Sequence, residues 1–153
     1  MKSGDKTRLR VFIFIFLALP LFASACNEKQ QLSASDLKIA AGDLRTLAFA
    51  SGRLTQQFAN GQLTQIFFEN QTELLLEKVH NTAQQLDGFA EEPEHEKERF
   101  RLVDIAERLH TALEKSQSGD VSMAEDLIRL GAEAKDIEDR FKEEQRAASE
   151  KNT

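Results

Sequence analysis

The chain has 153 residues, is 41% hydrophobic and 30% charged, and carries a formal net charge of −6. That is enough for one domain with a real core and leaves no basic footprint for nucleic acid. Its one cysteine excludes an internal disulfide, so packing alone must hold the fold; it has no Trp and no Tyr, residues that commonly anchor binding sites.

The chain opens with Lys2, Lys6, Arg8 and Arg10, followed by the almost wholly apolar run Val11 to Phe22 and the small residues Ala23, Ser24 and Ala25. This is the pattern of an export signal, and the run is too short for the roughly 20 residues of a spanning helix. Ala23-x-Ala25 suits a general signal peptidase. Ser24-Ala25-Cys26 resembles the lipobox of bacterial lipoproteins, with Ala23 where Leu is usual, and the lone cysteine falls on that site. The resemblance implies a diacylglyceryl thioether and an N-acyl chain on Cys26, with each buried methylene contributing about 0.8 kcal/mol to anchoring. By the same resemblance, Asn27 in place of Asp implies the periplasmic face of the outer membrane. The alternative is a soluble periplasmic or secreted protein.

Without residues 1–25 the chain keeps 16 basic and 25 acidic groups, a net charge of −9. Residues 27–72 hold 4 of each sign, and the stretch Leu54 to Phe68 holds no charge at all. Residues 73–153 hold 12 basic and 21 acidic groups.

Turn signals are sparse and evenly spaced: Asn60-Gly61, then Asp87-Gly88 with Glu92-Pro93, then Ser116 to Ser122 around Gly119. Ser33 or Ser35 can cap the first helix, and Ser122-x-x-Glu125 reads as a capping box for the last. The predicted helices are 35–59, 62–89, 93–116 and 123–148. In chain order their apolar stripes are Leu37, Leu44, Leu47, Leu54 and Phe58; Phe68, Leu75, Val79, Leu86 and Phe89; Leu102, Ala106, Leu109 and Leu113; and Met123, Leu127, Leu130, Ala134, Ile137 and Phe141. Matched lengths and short loops predict an all-α, up-down-up-down antiparallel four-helix bundle over 35–148. It follows a cleaved signal peptide (1–25) and a lipidated tether (26–34), and precedes a disordered tail (149–153). Reading through Asn60-Gly61 would instead fuse the first two helices into a coiled-coil rod; Gly after a helix favours the turn.

Pro93-Glu94, Ala112-Leu113 and Gly119-x-Val121-x-x-Ala124 in the second hairpin resemble the small periplasmic b-type cytochromes, which are four-helix bundles. That resemblance implies the fold. It does not extend to haem, because Asp139 occupies the position of the family's haem-binding His and the first helix lacks the family's Met.

Glu77-x-x-His80 and Glu107-x-x-His110 have the spacing of di-iron carboxylate bundles, which also need a Glu from each of the other two helices. The first helix has no Glu. Stepping 100° per residue turns Glu77 and His80 away from the core, leaves Glu107 mostly outside it and puts His110 at its border. These four residues are therefore read as solvated helix surface, with no cofactor and no metal expected, and His95 is expected to be exposed. No elbow motif surrounds a Ser and no phosphate loop appears, so no catalytic residue is expected. Ile39, Phe49, Ile66 and Leu76 fall off the stripes of the first hairpin and mark a candidate surface for a protein partner or for self-association. The resulting expectation is a membrane-tethered, non-enzymatic interaction or structural module. The alternatives are a ligand-, metal- or haem-binding bundle, or a periplasmic chaperone or stress sensor.

Overall fold

The computed structural model describes residues 33–87 and 95–151. Cys26, the leader, the expected tether up to Leu32, Gly88, Phe89, Glu92, Pro93 and the last two residues lie outside the described residues, while Ser33 and Ala34, expected in the tether, already cap and open the first helix. Four helices follow one another: α1 (Ala34–Ala59), α2 (Gln65–Asp87), α3 (Glu96–Gln117) and α4 (Met123–Glu150). Among the described residues every regular element is helical, and the helices pack as an antiparallel four-helix bundle.

Ser33 starts α1 with a complete capping box. Its Oγ accepts the Asp36 N–H at 3.3 Å, while Asp36 Oδ2 accepts the Ser33 N–H at 3.0 Å. The helix ends in a Schellman motif: Gln62 N–H reaches the Gln57 carbonyl at 3.0 Å and Gly61 N–H the Phe58 carbonyl at 2.9 Å. Gly61 sits at φ 69°, where a side chain is strained, so α1 stops and α2 is a separate helix. That motif uses residues through Gln62, which is why α2 begins at Gln65, later than 62, behind Thr64, whose Oγ1 accepts the Phe67 N–H at 3.4 Å. Phe58 and Phe68 stack across the turn with ring centroids 4.2 Å apart and planes 9° apart.

The C-terminal end of α2 is held from α3. Arg99, 8% exposed, donates from Nη1 to the Leu86 carbonyl at 3.3 Å, placing a cation at the C-terminal end of α2. α3 begins at Glu96, with Glu96 and Glu98 in its first turn. It closes on a second Schellman motif: Asp120 N–H bonds the Lys115 carbonyl, Gly119 N–H bonds the Ser116 carbonyl, and Gly119 has φ 99°. The expected capping box at Ser122 does not form. Ser122 is already helical (φ −66°, ψ −18°) and not in the extended conformation of a capping residue, and its Oγ and N–H both donate to Asp120 Oδ1, at 2.6 and 3.1 Å, so Asp120 takes the N–H that Glu125 would have accepted. α4 continues to Glu150, past the expected end at 148.

Each helix touches its chain neighbour, α1 packs most extensively on α4, and α1 meets α3 across the diagonal, whereas α2 and α4 do not meet. The predicted stripes supply the core: Leu37, Leu44, Phe68, Leu86, Leu102, Leu109, Leu113, Leu127 and Phe141 are each at most 2% exposed. The diagonal has a polar floor, where Thr55 Oγ1 lies 3.4 Å from Ser116 Oγ, both buried.

The α1–α4 seam is built on glycine. A Cβ on Gly52 would stand 2.6 Å from Ile128 Cγ1 and 3.0 Å from the Ala124 carbonyl oxygen. A Cβ on Gly131 would stand 3.2 Å from the Phe49 ring. Towards the other end of the seam, Glu138 is nearly enclosed, with Arg45 Nη1 at 2.7 Å and Lys142 Nζ at 2.6 Å. Lys38 Nζ donates to Gln145 Oε1 at 2.7 Å.

Two predictions follow from these contacts. Gly52→Ala gains about 1 kcal/mol of helix propensity but forces Ile128 and the α4 backbone apart, so a net loss of about 1–2 kcal/mol is expected in urea unfolding. Gly42→Ala on the same helix meets only the Glu138 carboxyl at 3.7 Å and should gain about 0.5–1 kcal/mol. The second prediction concerns pH. Hydrogen bonds from the Ser33 hydroxyl and then the Ser33 N–H hold the Asp36 carboxyl below its usual value. Its contribution is therefore present above the unfolded-state value of about 3.9 and is lost as pH falls through the lower folded value. Amide exchange in the first turn of α1 should accelerate over that acid range, relative to the intrinsic rate, and Ser33→Ala should flatten the dependence.

Candidate functional site

The Glu-x-x-His residues are brought closer together than their angles suggest. α2 and α3 are neighbours, so positions flanking the core on each helix meet at their junction. His80, Asp87, Glu107 and His110 all line one groove of about 480 Å³, with Val79, Ala83 and Ala106 among its apolar lining residues. His80 and Glu107 are exposed and His110 is half-buried, while Glu77 is exposed and does not line the groove. Within the groove the polar groups are engaged locally. Gln84 Nε2 lies 2.9 Å from His80 Nε2, and His110 Nδ1 lies 3.6 Å from Glu114 Oε2. Among the described residues no three His, Cys, Asp or Glu are grouped so as to hold a metal ion.

Asp139 is half-buried on α4 and accepts from Lys135 Nζ and from Lys142 Nζ. Those two hydrogen bonds hold its carboxyl below the usual range. His95, expected to be exposed, is half-buried, with its ring edge-on to Phe141 at 5.6 Å.

The four candidate surface residues of the first hairpin divide in two. Ile39 and Ile66 are exposed, at 58% and 71%. Phe49 is turned into the α1–α4 seam, where its ring covers Gly131, and Leu76 packs against the core. Stripe reading missed Phe67 (48% exposed) and Leu74 (50%), together with Phe100 and Val121. Phe67 and Leu74 are seven apart, nearly two turns, so they share a face about 100° or more from the buried Phe68–Val79–Leu86 line. With Ile66 they are the exposed large apolar residues of α2, on an outer side that also carries Asn70, Glu73 and Glu77. Large exposed apolar groups clustered on one face are a recognised mark of an interaction surface.

The opposite hairpin is laced with charge. Arg108 grips Glu133 with both guanidinium nitrogens, at 2.9 and 3.1 Å, and its pKa is raised by that contact first and by Asp104 second. Arg140 reaches Glu98 at 3.5 Å. No helix among the described residues is long and apolar enough to cross a membrane. No protein family, no characterised protein and no solved structure matches this chain.

Aspartate substitutions separate surface from seam. Phe67→Asp and Leu74→Asp should each leave unfolding free energy within about 0.5 kcal/mol of the parent. Phe49→Asp should cost about 2–3 kcal/mol, because it uncovers Gly131 and places a carboxylate in the seam. Chemical denaturation of the three variants side by side checks the assignment.

Proposed function

We propose that this chain is a lipoprotein anchored to the periplasmic face of the outer membrane, where it acts as a non-enzymatic helical interaction module. The observation that carries the anchor is the placement of the lone Cys26 at the foot of the apolar leader, directly after Ser24 and Ala25. On this reading the acyl chains on Cys26 hold the protein to the membrane, and more than one chain makes that hold stable. Residues 27–32 then lead to the capping box at Ser33 and span at most about 20 Å. The bundle is the working part. Support for an interaction role comes from Ile66, Phe67 and Leu74, which stay exposed on a bundle whose stripes are otherwise well buried. The partner docks on the first hairpin, and the charged second hairpin is the solvated side.

Metabolic labelling with a tagged fatty acid tests the anchor. Wild type should take up label and remain with the membrane pellet, and Cys26→Ser should lose both. Release of unlabelled wild-type protein into the soluble fraction overturns the anchor and leaves the soluble periplasmic alternative.

A further inference from the structure

We propose that the groove between α2 and α3 binds a small organic cation, an ammonium group on a compact apolar body. Its volume of about 480 Å³ is that of a small-molecule site. The two ends of such a ligand match two parts of the groove. The buried Val79 and Ala106, with the half-buried Ala83, give an apolar floor. Asp87 from α2 and Glu107 from α3 put one carboxylate on each wall.

Charge names the occupant. No Lys or Arg lines this groove. Two grooves between α3 and α4 differ: one is lined by Arg101 and Arg140, the other by Arg108, Lys115 and Arg129. There Glu133 is already held by Arg108, at 2.9 Å. Among the described residues, neither the Asp87 nor the Glu107 carboxylate has an ion pair or a hydrogen bond. Arg99, which holds the end of α2, is not a lining residue and donates to the Leu86 carbonyl. His80 adds no competing charge. The Gln84 amide nitrogen, which can only donate, lies 2.9 Å from His80 Nε2, so that ring nitrogen accepts and the ring is neutral in this arrangement. An ammonium here meets two unpaired carboxylates and displaces no resident cation. An anion would meet the same carboxylates with nothing to pair it, and a neutral molecule would desolvate them without return. His80 and Asp87 lie about 130° around α2 from Phe67 and Leu74, so this site and the partner surface stand or fall separately.

The full mature chain, purified from whichever fraction holds it, is titrated at neutral pH with cyclohexylammonium, cyclohexanol and cyclohexanecarboxylate. These share one body and differ in charge. The readout is the proton NMR signal of the imidazole rings. The chain has 3 histidines; His80 and His110 line the groove, and His95, against Phe141, is the internal reference. Cyclohexylammonium should move the His80 and His110 signals saturably and leave His95 in place. Glu107→Gln and Asp87→Asn should each weaken it about threefold, the size of an exposed ion pair, with circular dichroism unchanged. Cyclohexanol, which makes neither pair, should bind about tenfold more weakly, and the carboxylate should not bind. The exposed α4 control Glu144→Gln should bind like the parent. If one groove variant does not fold, the other decides. Equal binding of the alcohol and the ammonium overturns the site, as does the absence of a saturable shift or an equal shift of all the histidines. An equal loss in Glu144→Gln also overturns it, because net charge alone would then be the attraction.

Discussion

The rest of the bundle depends on how closely α1 and α4 approach. Gly52 and Gly131 have no side chains at the points where Ile128 and Phe49 press in, so one side chain fills the space where two would clash. The register is fixed at four places along the seam: Lys38 with Gln145, Arg45 with Glu138, Phe49 with Gly131, and Gly52 with Ile128. As the number rises along α1 it falls by nearly the same amount along α4, as antiparallel packing requires. α2 and α3 complete the ring, and α1 reaches α3 across the middle through Thr55 and Ser116. The side that needs no glycine is lined by the Leu, Val and Phe residues of the stripes. Widening the seam would therefore loosen the core that α1 shares with the other two helices.

Much of this architecture was legible in the sequence, because each helix announces its main buried face in Leu, Val and Phe at spacings of three and four. The turns at Gly61 and Gly119 were legible for a sharper reason: both adopt positive φ, a conformation that glycine accepts at no steric cost. The misplacements share one physical origin. A helix in a closed bundle packs on two neighbours, so its buried arc is wider than one stripe. On α1 the second buried face is made of the small residues Ala41, Ala48 and Gly52, which a stripe of large apolar residues passes over, and Phe49 beside them looked outward. The same widening explains why His80, Glu107 and His110 meet at the α2–α3 junction. The capping box at Ser122 failed because Asp120, two residues earlier, offers a nearer acceptor. Of the candidate interaction face, Ile66 was legible. Phe67 and Leu74 were not, because each stands next in sequence to a stripe residue, Phe68 and Leu75, and drew no separate notice.

The division of charge along the chain becomes a division of surface. α3 and α4 bind each other through Arg108–Glu133 and Arg140–Glu98, partly exposed pairs that each add little to stability but fix which flanks meet. They also leave a strongly hydrated exterior. α1 and α2 turn a nearly neutral exterior outward, because their charges are few and the turn between them has none. One protein thus shows water two different faces, and only one of them is cheap to desolvate.

The seam also determines how the bundle answers a pull. α1 begins and α4 ends at the same end of the bundle, so tension between the start of α1 and the end of α4 acts across the seam and not along it. Contacts then break singly: first Lys38–Gln145, then Arg45–Glu138, then Phe49 from Gly131, and last Gly52 from Ile128. The glycine contacts come late in that order, and the ion pairs at the loaded end can re-form after a brief tug. A load on the free tip would have to slide whole helices past one another, so the molecule is a zipper from one end and a strut from the other.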